Sequence, residues 1–118
     1  MAAVYNMPDH YKGDTFNEIS FTINKNVSGT VTPVDLTGAT IKIHFRKDPK
    51  DNVFEQMSTI DSTINIFDPT NGKFKIVKHV VDYEACKYYY DIQITYQNGD
   101  VQTPIRGNLK VIQDVTYI

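Results

Sequence analysis

Apolar and polar residues alternate along six separate stretches of this chain. Ile19, Phe21 and Ile23 alternate with Ser20 and Thr22, and Ile41, Ile43 and Phe45 with Lys42, His44 and Arg46. Ile64 and Ile66 alternate with Thr63 and Asn65, and Phe74 and Ile76 with Lys73 and Lys75. Tyr88, Tyr90, Ile92, Ile94 and Tyr96 alternate with Tyr89, Asp91, Gln93 and Thr95. Ile105, Gly107, Leu109 and Val111 alternate with Arg106, Asn108 and Lys110. A strand turns successive side chains to opposite faces, so a period of two gives each stretch one face for a core and one for water. That is the habit of antiparallel sheets. The eight Tyr and six Phe, with many Thr, Ile and Val, favour strand as well. One helical turn is expected at 80–87, where Val81, Glu84 and Ala85 share a face.

Turn chemistry separates the stretches. Asp35-Leu36-Thr37-Gly38 offers a side-chain acceptor followed by a residue free to take positive φ. Residues 47–52 form a polar break around Pro49. In 68–72, Pro69 is preset for a turn and Asn71-Gly72 suits left-handed positions. Gln97-Asn98-Gly99-Asp100 is the strongest hairpin signal. Six or seven short strands at this spacing predict a β-sandwich.

The last hairpin allows a sharper expectation. Opposed residues share a face, so Ile92 should stand opposite Ile105 and Ile94 opposite Thr103. A two-residue Asn98-Gly99 turn keeps that facing but makes Gln93 and Pro104 a hydrogen-bonded pair, and proline has no N–H to give. A four-residue loop, 97–100, or a local break at Pro104 is therefore expected. Pro104 also suits an edge strand.

Residues 1–12 lie outside the alternation yet hold Val4, Tyr5, Met7 and Tyr11. An arm of this kind frays unless something ties it down. It either folds back on its own sheets or lies on a neighbouring subunit. The second placement makes Val4, Tyr5, Met7 and Tyr11 candidate partner-binding residues. The organisation expected is thus an extended arm, 1–12, and one β domain, 13–118, since 118 residues leave room for a single core.

Charge and cysteine content narrow the function classes. Twelve Lys and Arg face 14 Asp and Glu, a net charge of -2, so there is no bulk attraction to nucleic acid or an anionic membrane. No apolar run approaches the roughly 20 residues that span a bilayer. The first residues lack the charged and apolar regions of a secretory leader, so none is expected. The single Cys86 rules out an internal disulfide and a thiolate-rich metal site, and suits a reducing cytoplasm.

No catalytic, cofactor or metal residue is expected. His10, His44 and His79 are far apart and at no ligand spacing. Cys86 reads as a small half-buried residue. No nucleophile elbow or phosphate loop occurs. Asp48 with Asp51, or Asp61 with Asp68, reads as turn chemistry rather than a calcium loop. Two surface features remain. Lys42, His44 and Arg46 share one strand face and Lys73 and Lys75 another; if those strands are neighbours, they make a basic patch for an acidic partner, most naturally a protein. Tyr88 and Tyr90 face the core, one of them bonding back to backbone as a tyrosine corner. Tyr89 then points outward as a further candidate partner-binding residue.

Read in order, GDTFNEISFTI (13–23), VDLTGATIKIHFRK (34–47), INIFDPTNGKFKI (64–76) and the long segment at 88–116 resemble the Ig-like β-sandwich domains of tailed-bacteriophage virion proteins, including the N-terminal domain of upper baseplate proteins. The resemblance covers residues 13–116. It implies an Ig-like antiparallel sandwich of about seven strands, working without catalysis by burying surface on its neighbours. In baseplate proteins of this kind a fibre or host-binding region follows the domain, whereas this sequence ends at Ile118. An auxiliary protein decorating the capsid lattice is therefore the first expectation. Its partners would be the major capsid protein first, tail or baseplate proteins second, and copies of itself; nucleic acid and membrane are not expected. Its place would be the virion, assembled in the host cytoplasm. Tail or baseplate attachment is one alternative, and a carbohydrate- or receptor-binding module built on Tyr89 is another. Contacts are expected through the arm, loops and edge strands.

Overall fold

In a computed structural model that describes residues 3–48, 50 and 52–113, the chain is all-β. Its strands are β1 (Ala3–Val4), β2 (His10–Tyr11), β3 (Thr15–Phe16), β4 (Ile19–Thr22), β5 (Asn24–Val27), β6 (Thr30–Pro33) and β7 (Thr40–Arg46), then β8 (Glu55–Ser58), β9 (Ile64–Asp68), β10 (Lys73–Ile76), β11 (His79–Val80), β12 (Lys87–Thr95) and β13 (Val101–Ile112). One 3-10 turn, Pro69–Asn71, ends on Gly72 in the left-handed region (φ 68°), the position that Asn-Gly was expected to serve.

Two sheets organise the molecule. The larger has six strands in the order β1-β13-β12-β7-β8, with β2 also on β13. The smaller has the order β4-β10-β9. Two further pairs, β3 with β11 and β5 with β6, stand off these sheets. Pairing is antiparallel except where β1 and β2 run parallel to β13.

The period-two reading of the core matches the structure closely. Ile41, Ile43, Phe45, Tyr88, Tyr90, Ile92, Ile94, Ile105, Leu109 and Val111 are buried on the large sheet, and Phe21, Ile64, Phe74 and Ile76 on the small one. Together with Ile23, they form one continuous cluster, against which Ile19, Ile66 and Tyr96 are partly buried. Fully burying an Ile or Phe side chain is worth about 1.5–3 kcal/mol, so this shared layer dominates what holds the two sheets together. Phe21 stacks on Phe74 within the small sheet at 5.2 Å. Phe45 meets Tyr83, Tyr88 and Tyr90 edge-on or tilted.

The expected helical turn at 80–87 does not form. His79–Val80 pairs with β3, and 81–86 crosses to β12 as a loop. Aromatic packing sets its path: Tyr83 lies against Phe45 and Tyr88, and Val81 is buried. The Tyr88 hydroxyl donates to the Glu84 carbonyl at 2.6 Å, tying the start of β12 to the loop before it.

The last hairpin keeps Ile92 opposite Ile105, but Ile94 stands opposite Gln102 rather than Thr103. The register shifts between Ile92 and Ile94, so β13 spends an extra residue around Pro104. This is the local break that a missing N–H imposes, written as a bulge. The loop is one residue tighter than the four expected. Tyr96 N–H donates to the Asp100 carbonyl and Gly99 N–H to the Tyr96 carbonyl, with Gly99 at φ 94°. This is a three-residue connection whose last position needs a left-handed backbone. On its outer side β13 is bordered by the arm, and that pairing begins at Ile105, just past the proline.

Candidate interaction surfaces

The arm runs along its own chain. Ala3 and Val4 register with Ile105 and Arg106, and His10 and Tyr11 with Val111 and Ile112. Between them Tyr5 N–H donates to the Arg106 carbonyl and Met7 N–H to the Asn108 carbonyl, both at 2.9 Å. The Tyr90 hydroxyl donates to the Tyr5 carbonyl from inside the core. Gly107 makes this approach possible, because a Cβ there would overlap that carbonyl. Met7 is 5% exposed and sits in the core cluster, and the Tyr5 ring packs edge-on to Phe21 of the small sheet. His10 is buried, with Nε2 3.2 Å from the Val81 carbonyl and its ring against Phe16.

The five candidate partner-binding residues therefore separate. Met7 is buried in the core of its own chain. Tyr5 is committed to the join between the sheets, although its ring stays partly exposed. Val4 and Tyr11 are exposed along the edge, and Tyr89 lies 36% exposed on the outer face of the large sheet. Val4 and Tyr89 come together in a shallow groove of about 400 Å³, lined also by Asn6, Arg46, Arg106 and Asn108. Tyr11 is not part of it.

The basic patch forms with different members from those expected. β7 and β10 belong to different sheets, so Lys73 and Lys75 do not join Lys42, His44 and Arg46. Lys75 pairs with Glu18 at 3.1 Å. Register instead places β7 on one side of β12 and β13 on the other. Arg46 registers with Tyr89, Tyr89 with Asn108, His44 with Asp91, Asp91 with Arg106, and Lys87 with Lys110. The outer face thus gathers Lys42, Arg46, Lys87, Arg106 and Lys110 around a single carboxylate, Asp91, among its described residues. Asp91 is held by Arg46 at 3.4 Å. Strand alternation showed half of this surface; the rest depends on which strands become neighbours.

Other titratable groups serve structure. Asp35, fully exposed, has its carboxyl held below the ordinary range by hydrogen bonds from the Thr37 hydroxyl and N–H. Partial burial of Asp61 works to raise its pKa, but bonds from Thr63 and Ser58 outweigh this and leave it lowered. Asp48 accepts from Lys50 N–H and Asp68 from the Asn71 amide, so these acids do turn work. Burial pushes the Tyr83, Tyr88 and Tyr90 phenols well above their ordinary value of 10.0, and Tyr96 upward too. His10 and His79 both pack on Phe16, while Cys86 is half-buried. Among the described residues no three His, Cys, Asp or Glu converge as metal ligands.

One exposed element had no counterpart in the expectations. β5 and β6 form a two-stranded ribbon paired only to each other. Ser28 (φ 52°) and Gly29 (φ 83°) make its tip, both left-handed, as a two-residue hairpin turn requires. Val27 is 57% and Val31 63% exposed, and register turns them to opposite faces. Neither strand shows a clean alternation, because neither face is buried.

No protein-family model matches the chain, and no curated protein matches it either.

Proposed function

We propose that this chain is an Ig-like β-sandwich serving as a non-enzymatic structural protein of a tailed-bacteriophage virion, decorating the capsid lattice as an auxiliary subunit. The β5–β6 ribbon carries the reading. A lone two-stranded hairpin is marginal in water. This one buries almost nothing on its own chain and leaves both outer edges open beside two exposed valines. Seated on a neighbouring subunit it gains ladder hydrogen bonds and covers Val27 or Val31, which is how an assembly arm is stabilised. Two further features support the Ig-like frame. Two sheets share one apolar layer, and the Tyr88 hydroxyl returns to the Glu84 carbonyl four residues upstream, the bond of a tyrosine corner. The major capsid protein is the first partner, and the contacts run through the ribbon, Val4, Tyr11 and Tyr89 rather than through a free arm.

Mass spectrometry and cryo-electron microscopy of purified particles test this. The expected result is the chain in many copies on the capsid, with the ribbon against another subunit. Density on the tail or baseplate would replace the first partner with the second. Absence of the chain from purified particles would overturn the assignment.

A further inference from the structure

The outer face of the large sheet holds an electrostatic conflict that no ion pair among the described residues resolves. Lys87 and Lys110 are direct cross-strand partners, and like charges placed opposite each other destabilise a pair of strands. Arg106 follows on the same face of β13. Lys87, Arg106 and Lys110 are all exposed, and none forms an ion pair with a described carboxylate. Among the described residues the acid that register places on the face, Asp91, is engaged by Arg46. Five of the chain's 12 Lys and Arg gather here around Asp91, so the face is basic on a molecule of net charge -2. Beside these charges lie Tyr89 and the groove it shares with Asn6 and Asn108, which offer a ring edge and amide groups.

We propose that this face docks a carboxylate-rich protein segment, clamped by Lys87, Lys110 and Arg106 and laid against Tyr89. Charge complementarity selects an anion. Two observations select an acidic polypeptide over single-stranded nucleic acid. Binding successive bases takes a run of aromatic platforms, whereas the rings this face shows among its described residues are Tyr89, already 5.2 Å from the Lys87 ammonium, and Tyr11 apart from it at the outer edge, opposite Ile112. The remainder of the chain carries the acidic excess and repels a long polyanion running past the face, while a short segment keeps its charge within it. An external carboxylate between Lys87 and Lys110 turns their repulsion into two charge-assisted contacts. The surface follows from strand register and stands whether or not the chain resides in a virion.

Fluorescence anisotropy with a labelled oligoglutamate peptide tests it, with an oligothymidylate of equal charge as comparison. The peptide is expected to bind at low ionic strength and to release as salt rises. The variant combining Lys87→Gln, Lys110→Gln and Arg106→Gln is expected to lose about tenfold or more in affinity. Lys25→Gln, on the distant ribbon, is expected to bind like the parent chain. Lys110→Gln alone carries the same test should the triple variant misfold, and its melting temperature should hold or rise as the like-charge pair is removed. No binding at low salt, an equal loss in Lys25→Gln, or tighter binding of the oligothymidylate would each overturn the proposal.

Discussion

Gly107 is where the sheet can least accept another atom. The missing side chain lies 2.7 Å from where the Tyr5 carbonyl carbon passes and 3.0 Å from the Tyr90 ring. Backbone cannot swing aside as a flexible side chain does, so Gly107→Ala must displace the arm. The expected cost is about 1–3 kcal/mol in urea unfolding, with faster hydrogen exchange at Tyr5 and Met7. An alanine variant of unchanged stability, with the arm still protected, would contradict the observed crossing. The buried phenols make a second prediction. Tyr83, Tyr88 and Tyr90 hold their protons in the fold beyond the pH at which an unfolded tyrosine ionises, near 10.0. Above that pH the unfolded chain binds fewer protons than the folded one, so the stability these groups contribute is complete below about 10 and falls as pH rises. Titration of phenolate absorbance checks this. Tyr83, which is partly buried, and the buried Tyr88 and Tyr90 should ionise only in the same pH step in which the fold is lost. A smooth titration of all three in the intact fold would count against their burial.

At the scale of elements, the arm is a strand of the fold. Met7→Ala should cost about 2–5 kcal/mol, as for a large side chain removed from a core. Tyr11→Ala, at an exposed position, should stay within about 0.5 kcal/mol of the parent. Chemical denaturation of the two variants separates a docked arm from a free one, since a free arm would make both silent. This element also shows where the sequence stops being legible. The β7, β10, β12 and β13 stretches each bury one face, and period two marks that in the residues themselves. The arm gives no such mark, because its pairing is with a strand about a hundred residues away and its key, Gly107, looks locally like any small residue on a core face. The β5–β6 ribbon was illegible for the opposite reason: with no buried face, Asn24–Val27 and Thr30–Pro33 have nothing to alternate for. The basic face falls between these cases. Lys42, His44 and Arg46 were visible as a row, but only strand order decides that Lys87, Arg106 and Lys110 join them and that Lys73 and Lys75 do not.

At the scale of the whole molecule, whose extents are 54 × 28 × 25 Å, the ribbon and the Lys87–Lys110 pair lie toward opposite ends of the β12–β13 ladder. The ribbon leaves the small sheet beside Ile23 and Val34, and Lys25 borders the loop that follows Thr95. Lys87 and Lys110 sit at the far end of the same β12–β13 pair. At about 3.3 Å per residue along β12, the two regions are on the order of 25 Å apart. On the proposed role, a subunit gripping at both ends would bridge neighbours rather than rest on one, and its two weak contacts would multiply through effective concentration. Replacing residues 25–32 with a short turn should therefore leave thermal stability nearly unchanged, because the ribbon contributes little to the core. The same change should lower retention on assembled particles by about a hundredfold or more, while oligoglutamate binding in solution stays intact. Neutralising the basic face should give the converse pattern, with peptide binding lost and the ribbon contact kept. Co-sedimentation over a range of subunit concentrations, run beside the peptide assay, distinguishes bridging from a single contact. If either change alone leaves particle binding untouched, the region it alters does not hold the subunit in place.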